Sequence, residues 1–260
     1  MNDTKDVTNV PENQLPANLD DILADVGLGG KVTAADIAIP YLEILQGLSP
    51  QVQPASPKYL KGAIVSNLFL TVVDEFYPGD IGLDIVPCFY ERVHNEWTPR
   101  SKGGGLVKTY DPEAGMVAKG KATDPNKPAE LYLPNGNLII DTMYHYILTG
   151  RPEKGWTQTI FPLKSTMLKH SRKWTSNLET MLIPGTAHKA PRWMYKWRLT
   201  TMPEDKKGNI WYVPAWKQGD RVDMDTYKMA KDYAKIAATG MLRRPMEESL
   251  LEGDEANSLI

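Results

Sequence analysis

The stretch LKSTMLKHSRKWTSNLETMLIPGTAHKAPRWMYKWRL, residues 163–199, decides the fold because a helical pattern is followed there by a strand pattern. Its first half repeats apolar residues every three, four or seven positions, which predicts a helix with one apolar face: Leu163, Met167, Trp174, Leu178, Met181 and Leu182. Pro184-Gly185 ends this helix, because proline lacks an amide proton and glycine accepts unusual dihedral angles. Aromatic and basic residues alternate from Arg192 to Thr200, which predicts a strand.

The same region is strongly basic within a chain that is acidic elsewhere. Between Arg151 and Thr200, ten Lys or Arg residues stand against two Glu, a net charge of +8, whereas the whole chain carries −2. The last fifteen residues hold five carboxylates and no cation. This asymmetry favours a surface that binds a polyanion, with acidic ends. The alternative that stays open is a solvated basic helix above an ordinary aromatic core.

Four further strands and a final helix are predicted from alternating apolar runs and from a helical pattern of small residues. The strands are Ala63–Val73, Leu83–Trp97, Leu138–Thr149 and Ile210–Lys217, and the helix is Met224–Ala238. With the central stretch, the order is strand, strand, strand, helix, strand, strand. That is the order of the OB-fold, a five-stranded Greek-key barrel with a helix between strands 3 and 4. The predicted fold class is therefore mainly β (α+β), with a C-terminal helix.

Three segments are expected along the chain. Residues 1–35 are predicted to be a flexible acidic N-terminal segment, residues 36–240 the OB-fold domain, and residues 241–260 a disordered acidic tail. The N-terminus lacks the apolar region of a signal peptide, and no run approaches the roughly 20 apolar residues of a membrane helix. The single cysteine, Cys88, excludes an intrachain disulfide. We therefore expect the host cell cytoplasm as the compartment, and no membrane partner.

The motifs of catalytic and metal sites are missing or incomplete. GGGLVKT at residues 103–109 has Val107 where a phosphate-binding loop needs glycine, and GRPEKGWT at residues 150–157 has Trp156 where that loop needs lysine. The four histidines are scattered and show no metal-ligand spacing. The sequence therefore predicts no catalytic residue, no metal, no cofactor and no enzymatic activity.

A protein that binds single-stranded nucleic acid needs cations interleaved with flat aromatic side chains, because the cations follow the phosphates and the rings stack on exposed bases. The chain interleaves the two types three times, which gives these candidate nucleic-acid-binding residues: Tyr90, Arg92, His94, Trp97, Arg100, Lys102, Lys164, Lys169, Arg172, Lys173, Arg192, Lys196 and Arg198. Trp97, at a strand end beside a glycine loop, is the predicted stacking residue. Trp174 and Trp193 are predicted to belong to the core.

Diffuse motifs also carry a family resemblance. IPYLEILQGLSPQV at residues 39–52, GLDIVPCFYERVHNEWTPR at residues 82–100 with the glycines that follow, GNIWYVPAW at residues 208–216 and the acidic terminus resemble bacteriophage single-stranded DNA-binding proteins of the OB-fold, acidic-tail type. The resemblance implies sequence-independent binding of single-stranded DNA in phage DNA replication, recombination or repair. It also implies that the acidic tail contacts a phage polymerase or helicase.

Two alternatives stay open beside this interpretation. One is a single-strand annealing or recombination protein that forms oligomers. The other is a phage virion or accessory structural protein without nucleic-acid binding. The sequence does not choose between DNA and RNA or among oligomeric states.

Overall fold

The computed structural model describes residues 30, 38–125, 130–206, 208–240 and 242. The chain divides into two units, Met1–Ala38 and Ile39–Ile260, and the strands and helices lie in the second unit. Except for Gly30 and Leu242, the predicted N-terminal segment 1–35 and the predicted tail 241–260 lie outside the described residues.

The described residues form a mainly β structure with antiparallel sheets and few helices, which confirms the predicted class at that level. The strands are β1 Leu42–Ile44, β2 Leu68–Leu70, β3 Glu75–Tyr77, β4 Leu83–Trp97, β5 Leu106–Tyr110, β6 Lys121–Ala122, β7 Leu131–Tyr132, β8 Leu138–Arg151, β9 Gly155–Lys164, β10 Tyr195–Lys206 and β11 Asn209–Arg221. The α-helices are α1 Met116–Lys119, α2 Leu168–Thr180 and α3 Met224–Ala238.

The five long strands lie side by side in the order β11-β10-β4-β8-β9, and every neighbouring pair is antiparallel. Helix α2 connects β9 to β10. The connection from β4 to β8 is a long excursion, residues 98–137, which carries β5, α1, β6 and β7. Strand β5 pairs with β4, and β7 pairs with β8. Helix α2 packs on the surface of β8, β10 and β11, where its Trp174 ring contacts His145, Trp197 and Trp216.

Two of the sequence predictions for this sheet are wrong. The run Ala63–Val73 contributes only β2, which pairs with β1 and β3 in a separate three-stranded sheet. Ser66 and Val72, on either side of β2, have φ angles of 83° and 70°, and such left-handed residues interrupt a strand. The fifth long strand of the sheet is β9, which was not predicted because it contains Pro162, a residue type uncommon in strands. A proline is tolerated there because β9 pairs with β8 and lies at the edge of the main sheet.

The central helix is shorter than predicted at both ends. Leu163 and Lys164 belong to β9, and α2 begins at Leu168. The helix ends at Thr180, since Met181 is already extended with ψ of 136°. Pro184 therefore follows the helix without ending it. The predicted strand Arg192–Thr200 begins only at Tyr195, after a 3-10 turn over Arg192–Met194.

Strand β1 and the residues beside it lie between the two outer long strands, β9 and β11. The backbone N–H of Ile160 in β9 donates to the Pro40 carbonyl at 3.0 Å. On the other side, the side-chain amide of Gln46 bonds both the N–H and the carbonyl of Tyr212 in β11, at 2.9 and 2.8 Å. Because Gln46 is buried, these bonds are protected from water and fix β1 and its neighbouring residues to both edges.

The two faces of the main sheet are both covered, which explains why β8 is buried along most of its length. On one face, Met143 and Ile147 of β8 pack with Trp174 and Leu178 of α2. On the other face, helix α3 covers the sheet: the Tyr233 hydroxyl donates to the Thr159 carbonyl at 3.2 Å. Among the described residues, no helix is long and apolar enough to cross a membrane.

The excursion between β4 and β8 is fixed to β4 by a buried carboxylate. Glu96 accepts hydrogen bonds from the Tyr110 hydroxyl at 2.6 Å and from the side-chain amides of Asn135 and Asn137 at 2.8 and 2.6 Å. These donors stabilise the charged form and hold the pKa of Glu96 below its ordinary value. Glu96 therefore has a structural role.

Candidate nucleic-acid interface

Four of the predicted site residues lie close together at the junction of β4, β8 and α2. Tyr90 and Arg92 come from β4 and Arg172 from α2, while Arg192 lies in the turn before β10. Asp141 of β8 lies among them. Positions 90 and 92 alternate with the buried Val93, so both side chains emerge on the face that carries α2. The sheet thereby gathers residues that are far apart in sequence.

Arg92 and Arg172 both point at Asp141. Arg92 donates from Nε and one terminal nitrogen to the two carboxylate oxygens, at 2.8 and 2.6 Å. A terminal nitrogen of Arg172 lies 3.9 Å from Asp141 Oδ2. The Asp141 carboxylate raises the pKa of Arg92, and the fork-to-fork geometry is the strong form of this pair. One carboxylate therefore positions two guanidinium groups side by side.

Arg192 is the least satisfied cation of the cluster. One terminal nitrogen donates to Glu179 Oε1 of α2 at 2.6 Å, and the guanidinium carbon lies 5.4 Å from the Tyr90 ring centroid. Its Nε and its second terminal nitrogen are buried and have no hydrogen-bond partner among the described residues. Burial lowers the pKa of Arg192, but an arginine stays charged in proteins. Two donor nitrogens of a permanent cation are therefore unmatched among the described residues.

Four aromatic rings, those of Tyr90, His145, Trp174 and Trp216, pack one against the next and form an aromatic column beside this cluster. Tyr90 stands opposite His145 in the strand register, with ring centroids 5.1 Å apart. His145 in turn packs on Trp174, and Trp174 stacks on Trp216 at 4.8 Å with an angle of 9° between the rings. Burial raises the pKa of Tyr90, which keeps its hydroxyl neutral. The column holds Tyr90 rigidly under Arg192.

His145 and Ser171 form a close polar pair inside the same column. His145 Nε2 and Ser171 Oγ are 2.6 Å apart, and both residues are fully buried. Burial lowers the pKa of His145 to about 3, so the ring is neutral near pH 7. In the part of the chain that the structure describes, its Nδ1 has no hydrogen-bond partner. Because the hydroxyl is closed off from solvent, we interpret the pair as a structural link between α2 and β8.

The other α2 cations lie along the exposed side of that helix. Lys169 forms an ion pair with Glu204 of β10 at 2.7 Å, and His170 Nε2 lies 3.0 Å from the same oxygen. Burial lowers the pKa of His170 although Glu204 raises it. Lys173 is exposed. With Arg172, these residues give α2 a continuous basic face.

The remaining predicted cations are dispersed over other surfaces. Lys102 is exposed on the β4–β8 excursion, where Arg100 contributes its backbone to a 3-10 turn, and Lys164 is half-buried at the end of β9. Lys196 places its ammonium 5.9 Å from the Trp156 ring centroid. Arg198 pairs with Asp84 at 3.1 Å. The structure therefore does not bring these residues into the arginine cluster.

His94 and Trp97 are not exposed, and the predictions of an accessible imidazole and stacking ring are wrong. His94 is 4% and Trp97 1% exposed. The alternation along β4 is as predicted, but both of its faces are covered: Trp97 packs against Leu106 and Leu138. Trp174 is buried as predicted. Trp193 is only half-buried, with its ring edge-on to Tyr227 at 6.1 Å.

Sequence reasoning missed the acidic partners of the cluster. Asp141, Glu179 and Glu204 were not among the predicted site residues, although they are the acidic partners of Arg92, Arg192 and Lys169. The signal available was the register, because Asp141 lies diagonally across from Arg92 once β4 and β8 are paired. Among the described residues, no group of three or more His, Cys, Asp or Glu side chains could hold a metal ion.

The comparisons with known proteins point to a phage protein family. The family model described as Pam3 phage gp34-like protein matches residues 9–242, which is most of the chain. Comparison with curated proteins and with solved structures found no match.

Proposed function

We propose that this chain, which belongs to the Pam3 phage gp34-like protein family, is a sequence-independent single-stranded DNA-binding protein that acts in phage DNA replication, recombination or repair. The observation that carries the proposal is a cluster of three arginines. Arg92 and Arg172 point at Asp141, and Arg192 lies over the Tyr90 ring. Their net charge with Asp141 and Glu179 is +1, and Lys173 next to them adds another positive charge. Guanidinium groups match the geometry of phosphate oxygens.

We further propose that the five long strands are an OB-fold. Support comes from their order, β11-β10-β4-β8-β9, and from the position of α2 between the third and fourth of them along the chain. In OB-folds the second and third strands commonly face the nucleic acid. Here helix α3 covers the corresponding face of β8, since Tyr146 packs edge-on to Tyr233 with centroids 6.1 Å apart. We therefore place the DNA on the α2 side.

In this proposal each side chain has a defined role. Arg172, which is 57% exposed, and Lys173 contact neighbouring phosphates along the basic face of α2, with charge-assisted hydrogen bonds. Arg192, whose Nε and second terminal nitrogen are closed to solvent, lies over the Tyr90 ring and adds positive charge beneath this surface without contacting a phosphate. Arg92 keeps Asp141 neutralised, so that this carboxylate does not repel the strand.

The experiment is a fluorescence titration of full-length protein with labelled single-stranded and duplex oligonucleotides over a series of salt concentrations. If four phosphates are neutralised, log affinity should fall against log salt with a slope of about −3 for single strands. Duplex should bind more weakly. A flat salt response or equal affinity for duplex would contradict the proposal.

A pair of double variants localises the interface. Arg172→Ala with Lys173→Ala removes two exposed cations of α2, and should weaken binding about tenfold at low salt and reduce the slope by about 1.4. The matched control is Lys228→Ala with Lys231→Ala, which removes two exposed lysines of α3. If the two double variants weaken binding equally, the protein binds DNA through its overall charge and the α2 side is not the interface.

A phage virion or accessory structural protein is the second candidate. The observation that favours it is that several cations already have acidic partners within the chain, such as Arg92 with Asp141 and Lys169 with Glu204. This candidate predicts no binding of single strands even at low salt, so the same titration separates the two.

A further inference from the structure

A row of residues crosses all five long strands near one end of the main sheet. The strand register places Lys217 of β11 opposite Arg198 of β10, and Arg198 opposite Asp84 of β4. Beyond β4, Gly150 of β8 is opposite Trp156 of β9. Because residues that are opposite each other on neighbouring strands share a face, their side chains form one cross-strand row.

The alternation along two of these strands shows which face carries the row. Ile85 beside Asp84, and Trp197 beside Arg198, are buried in the hydrophobic cluster to which α2 contributes. Successive residues of a strand point to opposite faces, so Asp84 and Arg198 point away from α2. Trp156 packs against the other cluster, which contains α3. The row is therefore on a different surface from the arginine cluster.

The Trp156 ring lies across Gly150, where glycine leaves room for it. A side-chain carbon at position 150 would come within 3.1 Å of the ring atom Cζ3 and within 3.2 Å of the Asp84 carbonyl oxygen. The ring therefore extends from the edge strand β9 over β8 towards β4. On β10, Lys196 Nζ lies 5.9 Å from the ring centroid, within the range of a cation–π contact.

The surroundings of Trp156 differ from those of the other half-buried tryptophans, Trp193 and Trp216. Trp193 is edge-on to another aromatic ring, and Trp216 is stacked on one. The Trp156 ring has no aromatic contact in the described part of the chain, and its charged neighbour is the flexible side chain of Lys196. A partly exposed indole in this position is able to take another flat group against it.

The cations of this surface are accessible to a ligand. The Arg198 and Asp84 side chains are each 46% exposed, with Nε and Oδ1 3.1 Å apart. An ion pair this exposed stabilises little, so a phosphate can take the place of the carboxylate. Lys217 is exposed. With Lys196, the three cations exceed Asp84 by two positive charges.

One further acid borders the surface. Asp223, at the start of α3, accepts hydrogen bonds from the backbone N–H and the hydroxyl of Thr226. These bonds, together with the charge of Lys196, lower the pKa of Asp223. Because this carboxylate caps α3, it stays in place, and the surface keeps a net charge of +1 when Asp223 is counted.

We propose that this surface binds single-stranded nucleic acid, with one base stacked on the Trp156 ring and the adjacent phosphates contacted by Lys196, Arg198 and Lys217. An accessible aromatic ring beside several cations is the combination that binds a strand without reading its sequence. The row spans four strand spacings, roughly 19 Å. That length suits successive nucleotides of a strand.

This inference rests on the proposed function and adds to it a second contact region, on the face of the sheet that points away from α2. A free nucleotide carries the same base and phosphate chemistry as one unit of a strand. The experiment therefore includes a mononucleotide as a competitor.

The experiment measures binding of the full-length protein to labelled oligo-thymidylate by fluorescence anisotropy at several salt concentrations. Trp156→Leu removes the ring and should weaken binding about tenfold, because the stacking of one base is lost. Trp156→Phe keeps a flat ring and should retain most of the affinity. Lys217→Ala removes one phosphate contact and should make the slope of log affinity against log salt shallower by about 0.7.

Intrinsic tryptophan fluorescence gives a second readout, which a merely structural role of Trp156 would not change. A base stacked on an indole quenches its emission, so saturating oligonucleotide should quench the unsubstituted protein more than Trp156→Phe. The matched controls are Trp216→Phe, which replaces a ring already stacked within the protein, and Lys231→Ala, which removes an exposed cation of α3. Both controls should bind and quench as the unsubstituted protein does.

The outcomes separate this inference from the proposed function. If single strands bind but Trp156→Leu and Lys217→Ala bind as tightly as the unsubstituted protein, the inference is overturned and the proposed function stands. Equal losses in Trp156→Leu and Trp216→Phe would assign the effect to packing, which also overturns the inference. If thymidine monophosphate displaces the oligonucleotide at a comparable concentration, the surface is a site for a free nucleotide and not for a strand. If no single strand binds even at low salt, the proposed function and this inference both fail.

Discussion

Replacing Trp97 with alanine should unfold part of the core and leave the DNA interface untouched. The Trp97 ring is 1% exposed at the end of β4. It is opposite Leu106 of β5 on one side and Leu138 of β8 on the other. It therefore joins the β4–β8 excursion to the main sheet, and its loss affects three strands at once.

The magnitude follows from this burial. Truncation of a fully buried tryptophan to alanine costs about 3–5 kcal/mol of unfolding free energy, because apolar contacts are lost and a cavity remains. For a domain of this size, each kcal/mol lowers the melting temperature by roughly 2–4 °C. We therefore expect the melting temperature to fall by about 6–20 °C.

The assay is urea unfolding followed by far-ultraviolet circular dichroism, which does not depend on the fluorescence of the replaced residue. Trp156→Ala is the matched control, since Trp156 is half-buried and should lose much less. Binding of single strands should be measured well below the melting temperature of the variant, where it should be unchanged.

An unchanged urea midpoint combined with weaker DNA binding would refute this reasoning. That result would mean that the Trp97 ring is a stacking surface, and that the burial of the β4 end in the structure is incorrect.

Three further predictions concern charge and backbone conformation. Arg151 holds the pKa of Glu75 at about 2, below its ordinary 4.5, so the ionised Glu75 stabilises the fold above about pH 4.5. This contribution of about 1–3 kcal/mol to the unfolding free energy should disappear as the pH falls towards 2. The variant Glu75→Gln should therefore show a flatter dependence of stability on pH in acid unfolding. Val72→Gly should raise the unfolding free energy by about 1 kcal/mol, since φ is 70° at an exposed β-branched residue; no gain on urea unfolding would contradict the strain. Gly79→Ala should lower the melting temperature by several degrees through a clash of about 1–3 kcal/mol with the Ser66 carbonyl, and an unchanged temperature would argue against this close approach.

Local sequence patterns predicted correctly those strands and helices whose conformation is set by neighbouring residues. Strand β4 was predicted over its full range, Leu83–Trp97, and α3 over Met224–Ala238, because alternation and helical spacing are properties of neighbouring residues. The mainly β class follows from the same patterns. The run Ala63–Val73 failed because the left-handed backbone at Ser66 and Val72 is not signalled by those residue types.

The sequence did not predict which distant residues contact each other. The interleaving of basic and aromatic residues was evident from the sequence, and it named Tyr90, Arg92, Arg172 and Arg192 as candidates. Which of these meet depends on the register of β4 against β8 and on where α2 crosses them, and both are set by long-range pairing.

The sequence by itself determined the amphipathic faces, the charge distribution and the residue types available for binding. Only the tertiary structure decided which faces are covered. Trp97 and His94 lie on opposite faces of β4, and each looked free to reach solvent, yet both are buried because other elements pack on both sides of the sheet. Burial is a property of packed surfaces, so a pattern along one strand predicts its two faces but not what lies against them.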